Sequence, residues 1–196
     1  MPPACTVREC RDAMPHGGRP RSPTSVCWRE TGAIAVDNEP PERRTLVFKS
    51  NAVRSLVELH EMELMRFYDT WERFCASGTA LPATDDPSYA SAQHLGGHVF
   101  RAARNYLTWI GEFVGRPVTD VDKETDPVTI ASRGRGFMDE MLAAWRRHLA
   151  LLEDREMTPA TRKSRWGEDY NIEQMLEHAV VHPMRHRIQL ERLISA

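Results

Sequence analysis

Three histidines, His178, His182 and His186, stand at successive steps of four near the end of the 196-residue chain. On an α-helix, residues four apart lie one above the other on the same face. The flanking pattern turns that face inward, because Ile172, Met175, Ala179, His182, His186, Gln189 and Leu193 recur at steps of three and four. A buried imidazole needs a partner for each ring nitrogen, and a metal ion is a partner that two such residues can share. A hydrogen-bonded pair of core histidines is the alternative. Two histidines on one face do not decide between these readings.

A third donor has to come from another element. Upstream, Leu95, His98, Ala102, Tyr106, Trp109 and Phe113 form a stripe, widened by Val99 and Ile110, that predicts a helix from about Ser88 to Val114. His98, His182 and His186 then make a set of three imidazoles from two helices. Structural zinc sites are closed by four protein ligands, commonly thiolates, whereas catalytic sites keep a vacancy. A three-histidine site is therefore expected to lower the pKa of a bound water or thiol, or to polarise a substrate oxygen. Zinc is the default ion, with nickel and iron also suited to imidazole.

Other residues take secondary places around this set. His94, one turn before His98, falls on the more polar edge of its helix. His178 drifts off the face of the pair, as a 3.6-residue repeat requires, and is read as a rim or supporting residue. His60 is read in two ways, as a tentative catalytic acid or base beside the metal or as a satisfied core histidine. Trp166, Tyr106 and Trp109 are candidate walls of a pocket. Gly96 and Gly97 let a neighbouring backbone or a ligand approach closely. Pro183 interrupts the last helix between the two histidines and is expected to kink it.

Four helices are needed to position these groups. The first, from about Lys49 to Cys75, carries Val53, Val57, His60, Leu64, Phe67, Trp71 and Phe74 at steps of three and four. The second bears His98. The third, for which Asp126-Pro127 is a candidate start, carries Met138, Leu142, Trp145, Leu149 and Leu152, with Gly134 and Gly136 making its opening irregular. A polar connection from Asp154 to Tyr170 leads to the fourth, for which Asn171 and Gln174 have the spacing of a capping pair. No convincing strand pattern interrupts the helices. The expected fold is all-α, a four-helix bundle over residues 47–196, of the kind that builds metal sites from facing helices. Residues 1–46 hold seven of the 13 prolines without sustained periodicity and are read as a mostly disordered tail, with a weak hairpin around Gly32.

Composition narrows the function classes. Hydrophobic residues make up 41% and charged residues 28%, with a net charge of −2, which leaves no electrostatic footprint for nucleic acid. No apolar run approaches a membrane span and the N-terminus lacks the apolar stretch of a secretory signal, so a cytoplasmic location is expected. The four cysteines match neither a zinc ribbon nor a disulfide framework.

The run from His98 to Asn105 together with Glu177–Gln189, in which His-x3-His is followed by Arg187 and Gln189, resembles the DinB/YfiT-like superfamily. The resemblance covers about residues 48 to 195. It implies a four-helix bundle whose divalent metal is held by one histidine of the second helix and two of the last, here His98, His182 and His186. Ile188 stands where relatives often have glycine. The resemblance also implies a metal-dependent transferase that uses a low-molecular-weight thiol such as mycothiol or bacillithiol on a small-molecule substrate, or a hydrolase. A non-catalytic, stress-related protein with a structural metal is the alternative. A homodimer is implied by the resemblance alone.

Overall fold

A computed structural model of the chain describes residues 46–158, 160–164 and 167–196. The expected tail, its hairpin and Trp166 lie outside the described residues. Four long helices form the bundle: α1 (Asn51–Ser77), α2 (Ala92–Phe113), α4 (Arg135–Leu149) and α6 (Ile172–Ile194). Two short helices, α3 (Pro127–Arg133) and α5 (Asp154–Met157), lie in the connections. No helix among the described residues is long and apolar enough to cross a membrane.

Each long helix begins where the local chemistry places it. Ser50 caps α1 by accepting from the Val53 N–H at 3.1 Å, and Asn171 and Gln174 cap α6 reciprocally. These contacts satisfy backbone donors that the first helical turn leaves unpaired. The second helix starts later than its stripe implied. Asp86 accepts from the Ser88 N–H and opens a 3-10 turn over Pro87–Tyr89, and Ser91 then caps α2 by accepting from His94 N–H. The third expected helix is split at Gly134, whose φ of 47° breaks the helical run between α3 and α4.

The core is the cluster in which α1 and α6 pack against α2 and α4, filled by Phe67, Phe74, Phe100, Phe137 and Trp145. Trp145 is fully buried and its Nε1–H donates to the Ala103 carbonyl at 3.0 Å, so its polar atom is satisfied. All seven stripe residues of α1 are buried. On α2 the core face is centred instead on Leu95, Val99, Ala103, Leu107 and Ile110, while His98, Ala102 and Trp109 are only half-buried. The stripe read from the sequence runs along the boundary between core and cleft.

Gly96 and Gly97 serve helix packing. A Cβ on Gly97 would sit 1.9 Å from the carbonyl oxygen of Pro127, and one on Gly96 would meet the Trp71 indole at 2.6 Å. Of the two close approaches that these glycines allow, a neighbouring backbone or a ligand, the structure shows the first, with the α3 backbone at Gly97 and the Trp71 indole at Gly96. The loop before α3 is fastened to α2 by Arg104, whose guanidinium donates to the carbonyls of Asp122 and Glu124, and by Arg101, which donates to that of Thr125.

The connection from Asp154 to Tyr170 holds more structure than its polarity indicated. After α5 it forms a two-stranded antiparallel ribbon, β1 (Arg162–Lys163) with β2 (Asp169–Tyr170), pairing Arg162 with Tyr170 and Lys163 with Asp169. Strands of two residues carry no periodicity that a sequence pattern can reveal.

Candidate metal centre

The helix α6 brings His182 and His186 to one face, as the step of four requires, and α2 presents His98 opposite them. The three rings meet, with centroids 5.0 Å apart for His98–His182, 4.8 Å for His182–His186 and 5.4 Å for His98–His186. One ligand atom from each lies within 4.8 Å of the others, so the trio could hold a metal ion. The closest approach is between Nε2 of His98 and Nε2 of His182, at 3.1 Å. Two nitrogens bound to one cation at about 2.0–2.1 Å stand roughly 2.8–3.4 Å apart in octahedral or tetrahedral geometry, so this separation suits these two nitrogens to a shared ion.

The opposite ring nitrogens fix the orientation of two of the imidazoles. His186 Nδ1 donates to Gln189 Oε1 at 3.0 Å, and the same oxygen accepts from the Tyr89 hydroxyl at 2.8 Å. His98 Nδ1 pairs with Ser88 Oγ at 3.2 Å. With a proton on each Nδ1, both Nε2 atoms keep their lone pairs for the shared centre. His182 Nδ1 is buried and has no hydrogen-bond partner among the described residues. Holding that imidazole without a partner costs free energy that an ion on its other nitrogen would offset.

All three imidazoles are held neutral. Burial pushes His182 down to about 2, helped by the neighbouring His186 and His98. Burial and the neighbouring His98 bring His186 to about 4, and burial also lowers His98. Neutral imidazole is the form that binds a metal, so protons compete with an ion here only in acid.

The trio faces an open cleft of about 590 Å³. Tyr106 and Trp109 line it, as do Ala102, Asn105, Met175, Ser164, His178 and Arg185. Cys75, the cysteine among the described residues, is exposed on α1 and does not line the cleft. His178 stands on the rim, its Nδ1 3.1 Å from the Tyr170 hydroxyl and its ring against Tyr106. His94 is turned away and pairs with Ser91 Oγ at 2.9 Å.

The sequence of this chain matches the DinB family over residues 68–195, well over half its length. The chain belongs to the DinB family. No curated protein and no solved structure matches it. The DinB match contains the whole trio and begins beyond His60. The Arg and Gln that follow its last histidine do different work: Gln189 supports His186, whereas Arg187 joins Glu191 and reaches Glu63 on α1 at 3.2 Å, fastening α6 to the bundle.

His60, read as a tentative acid or base, is not brought to the cleft. It is fully buried with its ring stacked on Trp145 at 3.9 Å, and neither ring nitrogen has a hydrogen-bond partner among the described residues. Burial pushes its pKa down to about 3. A general base must reach the proton it removes, and His60 does not line the cleft. Glu61, its neighbour, is engaged in a bidentate pair with Arg146.

Several contributors escaped the sequence. Ser88 and Tyr89 fall in the turn that was assigned to the start of the second helix, and only the fold brings them to His98, His186 and Gln189. The serine before an apolar helix signals a cap, but nothing local signals its reach to a histidine ten residues on.

Proposed function

We propose that the chain is a divalent-metal-dependent enzyme acting on a small electrophile. It is either a transferase that delivers a low-molecular-weight thiol, such as mycothiol or bacillithiol, or a hydrolase that delivers water. His98, His182 and His186 hold the ion through their Nε2 atoms, and zinc is the first choice of metal, ahead of nickel and iron. The observation that carries this reading is the position of the trio on an open cleft of about 590 Å³, where an ion keeps coordination positions for a ligand. A divalent ion there would favour the thiolate over the thiol near neutral pH, or activate a water in the same way. The chain's own part is to keep the imidazoles neutral by burial, to hold their tautomers through Ser88 and Gln189, and to wall the reacting groups with Tyr106 and Trp109.

The test is metal analysis of protein purified without a histidine tag, wild type beside His98→Ala and His186→Ala. Stoichiometric metal in the wild type and its loss in both variants are expected. Full metal content in either variant, or a wild type that takes up none after reconstitution, overturns the assignment. A subsequent screen of thiols and electrophiles separates an enzyme from a stress-related protein with a structural metal, which binds the ion without turnover.

A further inference from the structure

The cleft beside the trio is rich in hydrogen-bond donors that the protein itself leaves unused. Arg185 lines it, and no carboxylate among the described residues pairs with its guanidinium. Its one contact is a long one, 3.4 Å from Nη2 to His186 Nε2, and an ion on that nitrogen would take the lone pair that the guanidinium now faces. Tyr106 also lines the cleft, and its hydroxyl has no hydrogen-bond partner in the described protein. Its ring stands against His182, 5.9 Å between centroids, which sets the hydroxyl beside the trio as a donor. The side-chain amide of Asn105 is likewise unpaired on the same lining.

Acceptors are scarce by comparison. The carboxylate on the lining is Asp86, and it is engaged by the Ser88 N–H at 2.8 Å as the cap of the 3-10 turn. The Arg185 guanidinium has no direct ion-pair partner among the described residues, and with a cation on the trio the cleft carries more positive charge than the single Asp86 carboxylate offsets. A ligand that brings a negative charge balances it, and a planar carboxylate matches the guanidinium in geometry. Trp109 and Met175 on the lining supply apolar surface for the body of such a molecule.

We propose that the cleft binds a small molecule carrying a carboxylate, held by Arg185 with Tyr106 and Asn105, while its apolar body lies against Trp109 and Met175. The proposal rests on the metal-site reading for its catalytic meaning, since it names the substrate or co-substrate class of the same cleft. The anion contact itself uses only residues of this chain.

Calorimetric titration of the full-length protein, metal-free and zinc-loaded, with benzoate and with its neutral analogue benzamide tests it. Benzoate is expected to bind at least about tenfold more tightly than benzamide in both forms, as one charge-assisted contact implies. Arg185→Gln is expected to erase that preference and Arg185→Lys to retain it. Equal affinity for the two probes, no binding of benzoate at millimolar concentration, or an undiminished preference in Arg185→Gln overturns the proposal. Zinc stoichiometry measured on the same samples keeps the two readings apart. A benzoate preference in a chain that takes up no zinc leaves the anion site standing and removes the metal site; zinc without a benzoate preference does the reverse.

Discussion

His60 and His182 begin as the same signal. Each stands on an apolar helical stripe, each is buried, and burial drives both imidazoles far below the ordinary range, to about 3 and about 2. Their surroundings differ in kind. His182 faces another imidazole at 3.1 Å across an open cleft, and its neighbours in the trio have their far nitrogens held by Ser88 and Gln189. His60 faces the indole of Trp145, and neither of its nitrogens is engaged. A buried histidine becomes a candidate ligand through what other helices bring to it, and burial with a lowered pKa does not distinguish the two cases.

The sharpest way to break this contrast is to remove each imidazole in turn. His182→Ala is expected to abolish metal uptake, whereas His60→Ala is expected to leave the metal stoichiometry unchanged and to lower the melting temperature through lost packing. Elemental analysis and thermal denaturation of both variants read the two outcomes. Metal loss in His60→Ala at a temperature where the variant is folded would erase the distinction.

The second contrast lies in acid. His60 has a folded pKa of about 3 against an unfolded value of 6.5, so the unfolded chain takes up the proton first. Stability is then unaffected above about pH 6.5 and is lost as pH falls from there toward 3, by up to about 1.4 kcal/mol per pH unit from this one group. His60→Leu removes that contribution along with the unpaired nitrogens. Denaturant titrations of metal-free protein at pH 7 and pH 5 should show a smaller drop in the variant than in the wild type. The trio contributes its own acid loss to both proteins, so the difference between them isolates His60. An equal drop in both would place polar partners around His60 that keep it charged.

A smaller effect is expected one step out from the trio. Ser88→Ala and Gln189→Leu remove the acceptors that hold Nδ1 of His98 and of His186. Each should weaken metal affinity by about 10–100-fold without abolishing it. Competition against a chelator of known affinity measures this. Unchanged affinity in both variants would mean that packing alone orients the rings.

These contacts also mark where sequence reading stops. The helix faces were legible because burial imposes a 3.6-residue repeat, and that repeat brought out seven of the eleven buried positions of α1 as well as the histidines of α6. The trio was legible because the step of four puts two donors on one face and leaves a third to be sought on another helix. The rotation of α2 was not, because half-buried cleft walls such as Ala102 and Trp109 are as apolar as core residues. The separation of His60 from the cleft was hidden for a related reason. His60 faces Trp145 of α4 rather than the histidines, and the choice of neighbouring helix is a tertiary fact. The roles of Gly96 and Gly97 depended on knowing that Pro127 and Trp71 approach them.

The smallest expected effect is also a check on the trio's membership. His94 lies one turn before His98 on the same helix, so a step of four alone would admit it as a ligand. Its Nδ1 is occupied at 2.9 Å by Ser91 Oγ, the hydroxyl that caps α2, and it does not line the cleft. His94→Ala removes one contact to the capping hydroxyl but leaves Ser91 free to accept from the backbone N–H of residue 94. Stability should therefore change by no more than about 0.5 kcal/mol, as for a substitution away from any buried network, and metal affinity should stay within about twofold, a difference of roughly 0.4 kcal/mol. A loss approaching that of His98→Ala would show that α2 offers its other histidine to the ion. The donor set would then have to be redrawn around a rotated second helix.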